Sequence, residues 1–354
     1  MRLTARFALA ASCAAILSAQ AGMPPVALAD RDGPRRGGGL HDLRPYVLVS
    51  RDVYLMGTRA RLAVHASQRQ DGLAKLDAAL AALEATEEEL STWRESSAVS
   101  TLNRQPVGRQ WTATPRLCRL FADIWRWHHE TGGAFDPAIG RLLTAWDVHG
   151  EGVIPSPPTH AQALASSGLA RLAFDEDACT ITRRSDVAID AGAFGKGEGL
   201  DRAAAALGEV PWMIDLGGQV SVGGATPPAG GWTVGIAHPR HRDRPVVQVR
   251  MTSGSLSTSA GSERDLAVNG TRVGHILDPR TGRPATFNGS VTVWHERGLI
   301  ADILSTALFV MGPDAGQRWA EARGLAACFL VPEGATVRVE ATRAFATLLA
   351  TGQE

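Results

Sequence analysis

The stretch LIADILSTALFVMG, residues 299–312, is apolar at most positions and predicts a largely buried helix. Asp302 and Thr306 interrupt it, and their four-residue spacing places both on one face of that helix. A buried carboxylate needs a cation, a metal or several donors beside it. Hard oxygens on a rigid helix suit Mg²⁺, which keeps other positions for water and phosphate. The structural alternative is that Asp302 caps the first turn and Thr306 bonds back to the preceding turn.

The charge balance of the whole chain argues against nucleic acid as a partner. Its 354 residues include 36 Lys and Arg and 36 Asp and Glu. Equal numbers leave no global field that would attract a phosphate backbone or an anionic membrane surface. The length suits one large or two modest domains. Specificity is therefore expected from a local site.

The first 29 residues have the layout of a secretory signal peptide. Arg2 and Arg6 precede a short apolar run, and small residues follow it. We expect export to the periplasm, a flexible lead-in over residues 30–44 and one domain over residues 45–350. The residues before Cys13 lack the Leu of a lipid-attachment site, so lipid anchoring is not expected. No other run approaches the length of a membrane span, which predicts weak or no membrane association.

The exported chain keeps Cys118, Cys179 and Cys328, an odd number of cysteines at wide spacing. This spacing indicates neither a disulfide framework nor a zinc site. Cys328, within AACFLV, is predicted to be a core residue.

Periodicity predicts both strands and helices along the domain. Alternating apolar residues predict paired strands on either side of residues 56–58, a strand at SVTVW, and closing strands at CFLVPE, TVRVE and AFATLL. Apolar residues at helical spacing predict helices over residues 72–90 and 115–130.

A glycine-rich turn with a lysine lies in VAIDAGAFGKGEGLDRAAAALG, residues 187–208. The predicted order is strand, turn and a helix from about Gly199 to Leu207. Backbone N–H groups at such a turn can approach an anion, and Lys196 adds a positive charge. The spacing matches neither a Walker A loop nor a dinucleotide fingerprint, so an ordinary turn with a surface lysine is the alternative.

Two further segments combine glycine with polar side chains. WMIDLGGQVSVGG, residues 212–224, predicts a strand in which Gly217 and Gly218 allow a ligand to approach the backbone. In GHILDPRTGRPA, residues 274–285, His275 precedes a turn. A structural histidine that stabilises this turn is the alternative to a catalytic one.

In this order, the segments resemble the ApbE family of FAD:protein FMN transferases. The likeness begins at Met-Gly-Thr, residues 56–58, and includes Ser97, Ser100 and Asn103. It continues through GGAFDP, DAGAFGKGEGLD, LGGQVSVGG and GHILDPRTGRP to ADILSTALFVMG. The resemblance covers nearly all of the predicted domain. Each motif is weak alone, but their shared order is specific.

The resemblance implies an α+β fold, ApbE-like and T-fold-like, with a largely antiparallel sheet, packed helices and an active site in a cleft between sublobes. It implies transfer of FMN from the substrate FAD to a Thr or Ser hydroxyl of a partner flavoprotein, with release of AMP and with Mg²⁺ as cofactor. The acceptor would belong to a membrane or periplasmic electron-transfer system.

Residue roles also follow from the resemblance. His275 would be the catalytic base, and Asp302, Thr306 and the carbonyl of Ala193 would hold Mg²⁺. Asp201 would help Asp190 to brace the glycine-rich turn. The residues expected at the FAD site are Met56, Gly57, Thr58, Trp93, Asp136, Asp190, Lys196, Gly217, Gly218 and Asp302.

Three positions depart from the family pattern. Trp93 stands where relatives often carry Tyr, and an indole should stack on isoalloxazine at least as well. Gln219 replaces the Asp or Asn of many relatives. Ala260 is inserted before Gly261, which weakens the match of Thr258 and Ser259 to the usual T-S-G.

Three other functions are open at the level of sequence. A Mg²⁺-dependent FAD pyrophosphatase would use the same ligands with water as acceptor. A periplasmic flavin carrier would bind without turnover, although it would give no role to His275. A solute-binding protein would explain export and size but not the buried Asp302 and Thr306.

Overall fold

The computed structural model of the protein describes residues 46–261, 266–268 and 271–349. The predicted signal peptide and lead-in lie outside the described residues. The strands, in chain order, are β1 (Val47–Leu55), β2 (Thr58–Ala66), β3 (Gln110–Thr112), β4 (Leu172–Asp175), β5 (Thr180–Arg183), β6 (Trp212–Leu216), β7 (Gln219–Gly223), β8 (Trp232–Ala237), β9 (Pro245–Met251), β10 (Gly254–Ala260), β11 (Leu266–Val268), β12 (Thr271–Val273), β13 (Leu277–Asp278), β14 (Arg283–Pro284), β15 (Ser290–His295), β16 (Ala326–Glu333) and β17 (Thr336–Ala341). The helices are α1 (Arg69–Leu90), α2 (Ala98–Arg104), α3 (Pro115–Glu130), α4 (Gly140–Ala145), α5 (Pro157–Ala165), α6 (Gly195–Leu207), α7 (Gly298–Glu321) and α8 (Arg343–Ala346), and a 3₁₀ turn covers Leu169–Arg171.

Eight antiparallel strands form the central sheet in the order β1-β2-β6-β7-β10-β15-β16-β17. A smaller sheet has the order β3-β5-β4, and β8-β9, β11-β12 and β13-β14 form two-stranded pairs. Sheets and helices are mixed along the chain, as the α+β prediction requires. The predicted fold class, with its largely antiparallel sheet, is confirmed.

Alternate residues of the central strands enter different cores. Leu62 and Val64 of β2 pack with α1 and α6, whereas the intervening Ala63 packs with the β8-β9 hairpin. In β16, Phe329 packs with α7, while Cys328 faces the hairpin side. Side chains in a strand point alternately to opposite faces, so both faces of this sheet are covered.

Helix α7 forms the centre of the largest core. Its residues Leu299, Ile303 and Leu308 are buried against strands β15 and β16 and the region around α3. The regular helix ends at Gly312, which has a φ of 76°, and Pro313 starts the second half. Glycine at a positive φ followed by proline is a usual way to interrupt a helix.

Helix α7 also corrects the expectation that no further run is long enough to cross a membrane. By length and composition it could span a bilayer, yet 61% of its most apolar part is buried inside the fold. A helix that is apolar on most sides is also expected at the centre of a large core. We interpret α7 as a core helix.

The expectation about cysteines is wrong for one pair. Cys118 of α3 is disulfide-bonded to Cys179, in the turn between β4 and β5, with their Cα atoms 5.3 Å apart. The two residues are 61 positions apart, so only the packing of α3 on the small sheet brings them together. Cys328 is free and fully buried, as predicted.

Three boundaries also differ from the sequence prediction. The 212–224 stretch is a hairpin of two strands, because Gly217 and Gly218 form its turn. Helix α6 begins at Gly195 instead of Gly199. The segment AFATLL begins inside α8 instead of forming a strand, since the Thr342 side chain accepts the N–H of Phe345 and caps a helical turn.

Candidate active site

Asp302 lies in the interior, 3% exposed, where α7 meets α6 and β10. Its Oδ2 accepts the backbone N–H of Gly197 at 3.0 Å. Its Oδ1 accepts a hydrogen bond from Ser257 Oγ at 3.4 Å and lies 3.7 Å from Lys196 Nζ. Two donors and a cation from other elements thus stabilise the buried charge. Asp302 accepts from the first turn of α6, so the idea that it caps its own helix is wrong.

The first turn of α7 is instead held by Asp201. This residue of α6 accepts the backbone N–H groups of Gly298 and Leu299, the latter at 3.1 Å. Burial raises the pKa of Asp201 to about 6, although these two N–H groups and Arg297 oppose the rise. The side chain expected to brace the glycine-rich turn therefore fixes the start of α7 against α6.

A group of hydroxyls lies beside the carboxylate. Ser259 Oγ is 2.9 Å from Ser305 Oγ and 3.5 Å from Thr306 Oγ1, and Ser257 Oγ is 3.2 Å from Ser305 Oγ. Asp302 and Thr306 do share one face of α7, as their spacing predicts. The sequence contained a signal for the strand residues, because serine at alternate positions of β10 places these hydroxyls on one face.

The structure also decides which hydroxyl makes the predicted bond back to the preceding turn, and which of Thr258 and Ser259 faces the site. Ser305 makes the bond back to the preceding turn, since its Oγ donates to the carbonyl of Asp302 at 3.0 Å. Thr258 points to the other face of β10, where its Oγ1 lies 2.8 Å from Thr292 Oγ1. Of the weakly matched Thr258 and Ser259, only Ser259 therefore contacts the Asp302 and Thr306 face.

The early start of α6 places Lys196 and Gly197 in its first turn. Phe194 at the N-cap offers no side-chain hydrogen bond, and the first N–H groups of a helix carry partial positive charge. A Cβ on Gly197 would lie 2.3 Å from the carbonyl oxygen of Gly298, so glycine is required where α6 crosses α7. The N–H groups of Gly195 and Gly197 already donate to the Ala191 carbonyl and to Asp302, so the Lys196 ammonium, together with the dipole of α6, is the positive charge that suits an anion such as a diphosphate.

Two tight turns contain predicted FAD-site residues. Met56 and Gly57 connect β1 to β2 with φ angles of 51° and 69°, and Gly217 and Gly218 connect β6 to β7 with 61° and 89°. Two-residue hairpins with positive φ at both positions match the twist of the strands. A Cβ on Gly217 would lie 2.7 Å from Thr58 Oγ1. The structure thus brings the two predicted turn segments together.

Gln219 follows this turn and is 2% exposed. Its Nε2 donates to the carbonyl of Gly298 at 2.9 Å and lies 3.3 Å from Ser255 Oγ. A carbonyl can only accept, so the amide nitrogen must face Gly298. Gln219 therefore connects the β6-β7 hairpin to the start of α7. Its side chain is one methylene longer than that of Asp or Asn, which permits this contact.

Asp190 joins three segments near the start of α6. Its Oδ1 accepts the N–H of Gly192 at 2.8 Å, and its Oδ2 accepts Thr92 Oγ1 at 3.3 Å. His149 Nε2 lies 3.6 Å from the same Oδ2. Trp93 is 74% exposed and contacts His149 edge to face, with ring centroids 5.2 Å apart. No sequence motif singles out His149, which reaches this place only through the fold.

Asp136 is buried and its oxygens hold two loops. Oδ1 accepts the N–H of Ala138 at 2.8 Å, and Oδ2 accepts the N–H of Leu169 at 2.9 Å and lies 3.3 Å from His128 Nδ1. Burial raises the pKa of Asp136, while His128 and the N–H donors lower it. These contacts make it a structural support, and direct contact with a cofactor stays a prediction.

His275 and Ala193 lie in connecting segments. His275 is half-buried between Val273 and Leu277, which are both core residues. Ala193 is half-buried in the turn just before α6. The contacts of Asp302 come from α6, α7 and β10, so the catalytic role of His275 and the ligand role of the Ala193 carbonyl stay predictions.

The donors around Asp302 fit a hard divalent cation with few protein ligands. Within the described ranges no three His, Cys, Asp or Glu side chains cluster as a metal site. The site contains one carboxylate and several hydroxyls, all of which could coordinate a metal through oxygen. Mg²⁺ is commonly bound by one or two carboxylates together with substrate phosphates, which is what this donor set allows.

Comparison with known proteins agrees with this fold. An FAD:protein FMN transferase of Klebsiella pneumoniae strain 342 is 28% identical over 306 residues, which cover 83% of this chain and 87% of that protein. The ApbE protein of Thermotoga maritima has 28% identity and a TM-score of 0.78, covering 86% of this chain and 99% of its own. The apo flavinyl transferase ApbE of Pseudomonas stutzeri has 27% identity and a TM-score of 0.76, covering 88% and 100%.

The sequence profile of one family matches residues 56–329. This range begins at the Met56 turn and includes the glycine-rich turn, both hairpins and the Asp302 and Thr306 face of α7. The chain belongs to the ApbE family.

Proposed function

We propose that this protein transfers the FMN moiety of FAD to a Thr or Ser hydroxyl of a partner flavoprotein and releases AMP. The observation that carries the proposal is the cluster at the start of α6, where Lys196, the N–H of Gly197 and the buried Asp302 lie together. A cation and a helix start beside a carboxylate with neighbouring hydroxyls suit a metal-bound diphosphate. Relatives of similar length are FAD:protein FMN transferases.

In the proposed reaction, the acceptor hydroxyl oxygen forms a bond to the phosphorus of the FMN phosphate. The bond from that phosphorus to the bridging oxygen breaks, and AMP leaves with that oxygen. Lys196 and the first turn of α6 bind the diphosphate and oppose its growing charge. A nitrogen of the His275 imidazole accepts the proton of the hydroxyl. When bound by Asp302, Thr306 and the Ala193 carbonyl, Mg²⁺ would neutralise charge on the diphosphate.

We also propose a periplasmic location, with an acceptor in a membrane or periplasmic electron-transfer system. The export-type segment at residues 1–29 supports this location. The bond between Cys118 and Cys179 is also consistent with an oxidising compartment. Membrane association is proposed to be weak or absent, because the apolar α7 is buried in the fold.

The direct test incubates the protein with FAD, Mg²⁺ and a candidate exported flavoprotein, followed by mass spectrometry of the acceptor. We expect an acceptor mass increased by one FMN and the appearance of AMP. Free FMN and AMP without an adduct would instead identify a pyrophosphatase. Intact FAD would identify a flavin carrier, and either result would contradict the proposed transfer.

His275→Ala tests the proposed base. We expect FAD to bind with little change, while transfer falls by about 100-fold or more, because proton removal by a positioned group contributes this much. The rate of adduct formation and the affinity for FAD are the two measurements. His129→Ala, at an exposed position of α3, is the control. Equal transfer by His275→Ala would remove His275 from the mechanism.

A further inference from the structure

Asp190 is the point at which the turn that enters α6 meets two distant loops. Its carboxylate accepts the N–H of Gly192 and the hydroxyl of Thr92, at 2.8 and 3.3 Å. His149 Nε2 lies 3.6 Å away, with 15% of the Asp190 side chain exposed. One carboxylate thus holds the loop after α1 beside the Lys196 turn, and the imidazole on the loop after α4 lies within ion-pair distance of it.

Trp93, next to Thr92, presents an unusually exposed indole. It is 74% exposed, and its backbone N–H donates to Ser91 Oγ at 3.3 Å. The indole contacts the His149 ring at 5.2 Å between centroids and 70° between planes. Large aromatic side chains gain free energy when they bury their surface, so an ordered, exposed indole suits a planar ligand.

The loop that carries His149 has its own supports. Asp147 Oδ2 accepts the N–H groups of Glu151 and Gly152, at 3.0 and 3.3 Å. Trp146, just before it, is buried and its Nε1 donates to the carbonyl of Gly282 at 2.8 Å. These bonds do not involve the imidazole. Substitution of His149 should therefore change its contacts with Trp93 and Asp190 without disordering the loop.

We propose that His149 is a positioning residue, which holds the Trp93 indole as a stacking surface for the flavin ring of FAD. The imidazole lies 3.6 Å from the Asp190 carboxylate and contacts the indole edge to face. The inference rests on the proposed function, because it requires FAD as the ligand. It assigns to His149 a role in recognising the flavin half of FAD, while Lys196 and the start of α6 face the phosphates.

The proposal predicts different effects on the two halves of the substrate. Riboflavin contains the flavin ring without phosphates, and ADP contains the diphosphate without the flavin. His149→Ala should raise the Ki of riboflavin by about 3- to 10-fold, the range expected for losing one aromatic contact, and leave the Ki of ADP unchanged. It should raise the KM for FAD more than it lowers kcat. His149→Phe, which keeps a ring beside Trp93, should restore part of the riboflavin affinity.

Trp93→Ala and the double variant with His149→Ala complete the test. Since His149 acts through Trp93, the double variant should bind riboflavin no more weakly than Trp93→Ala alone. His129→Ala, on the exposed side of α3, is the control. Circular dichroism and thermal unfolding check that each variant is folded.

Two results would overturn the proposal. Unchanged riboflavin affinity in Trp93→Ala or His149→Ala would mean that the ring binds elsewhere. An equal loss of riboflavin and ADP affinity would indicate general damage to the site. Either result leaves the proposed function intact if the unaltered protein still forms the FMN adduct, whereas loss of that adduct refutes the function itself.

Discussion

The surroundings of Asp302 explain how a carboxylate remains in an apolar interior. Its hydrogen bonds come from Gly197 in α6 and Ser257 in β10, and the Lys196 ammonium lies 3.7 Å away. A buried charge without such partners would cost several kcal/mol. The Lys196 ammonium also offsets the negative charge that Asp302 presents to the proposed diphosphate.

Asp302→Asn keeps the size of the side chain but removes its charge. We expect transfer to fall by at least about 100-fold, as for other losses of preorganised charge stabilisation, and the dependence on Mg²⁺ concentration to disappear with it. Rates of adduct formation across a Mg²⁺ titration are the measurement. Asp314→Asn is the matched control, since Asp314 is an exposed acid on the same helix. An Asp302 variant with the same Mg²⁺ requirement would place the metal elsewhere.

At the scale of elements, the crossing of α6 and α7 positions the site. Gly197 and Gly298 allow close approach, and Asp201 accepts the first N–H groups of α7. The geometry of Asp302 and Thr306 therefore depends on contacts at the start of their helix, about one turn from Asp302 and two from Thr306. Strengthening or weakening this crossing should affect both stability and activity.

The pKa of Asp201 predicts a pH dependence of stability. Its value rises from 3.8 to about 6 on folding because the side chain is buried. The folded protein then binds this proton more tightly, so the free energy of unfolding falls as the pH rises from about 4 to 6. The rise corresponds to about 3 kcal/mol. Urea unfolding across this range should show that contribution in the unaltered protein and not in Asp201→Asn. The same pH profile in both proteins would contradict the assignment.

Two hairpin glycines, Gly57 and Gly217, allow the free-energy cost of a Cβ at positive φ to be distinguished from the cost of a steric contact. Gly57→Ala and Gly217→Ala both place a Cβ at positive φ, which costs about 1–2 kcal/mol. A Cβ at position 57 meets nothing within 4 Å, whereas one at 217 meets Thr58 Oγ1 at 2.7 Å. We expect Gly217→Ala to lower the free energy of unfolding more than Gly57→Ala and to raise the KM for FAD. Equal free energies of unfolding for the two variants would show that the Thr58 side chain moves away from the new Cβ without cost.

At the scale of the molecule, a disulfide fastens α3 to the small sheet. Cys118 and Cys179 close a loop across 61 positions and connect the parts of the fold that surround α7. Cross-links of long loops stabilise chiefly by restricting the unfolded chain. The central sheet does not depend on this bond, because its strands pair through backbone hydrogen bonds.

Reduction should therefore weaken the protein without unfolding it. We expect reductant to lower the free energy of unfolding by about 2–4 kcal/mol, measured by urea denaturation with and without dithiothreitol. The Cys118→Ser and Cys179→Ser double variant should show the lower stability in both conditions. Thiol titration of the unfolded, unreduced protein prepared without residues 1–29, which contain Cys13, should find Cys328 alone. Insensitivity of the unaltered protein to reductant would contradict a stabilising disulfide.

Local patterns in the sequence were sufficient for much of the fold. The helix around Asp302, the 115–130 helix and the strands on either side of Met56 lie where periodicity predicts them. The prediction of a strand at AFATLL is wrong. Its apolar residues suit a strand, but Thr342, two residues earlier, caps a helical turn. Apolar content alone does not distinguish a short strand from a short helix.

By itself, the sequence determined that Asp302 and Thr306 share one face of a buried helix, and that glycines form the tight turns. These properties depend on near neighbours along the chain. Only the tertiary structure decided that Asp302 meets Gly197, 105 residues away, and that His149 reaches Trp93. Such contacts are set by how helices and sheets pack, and residue spacing contains no record of that packing.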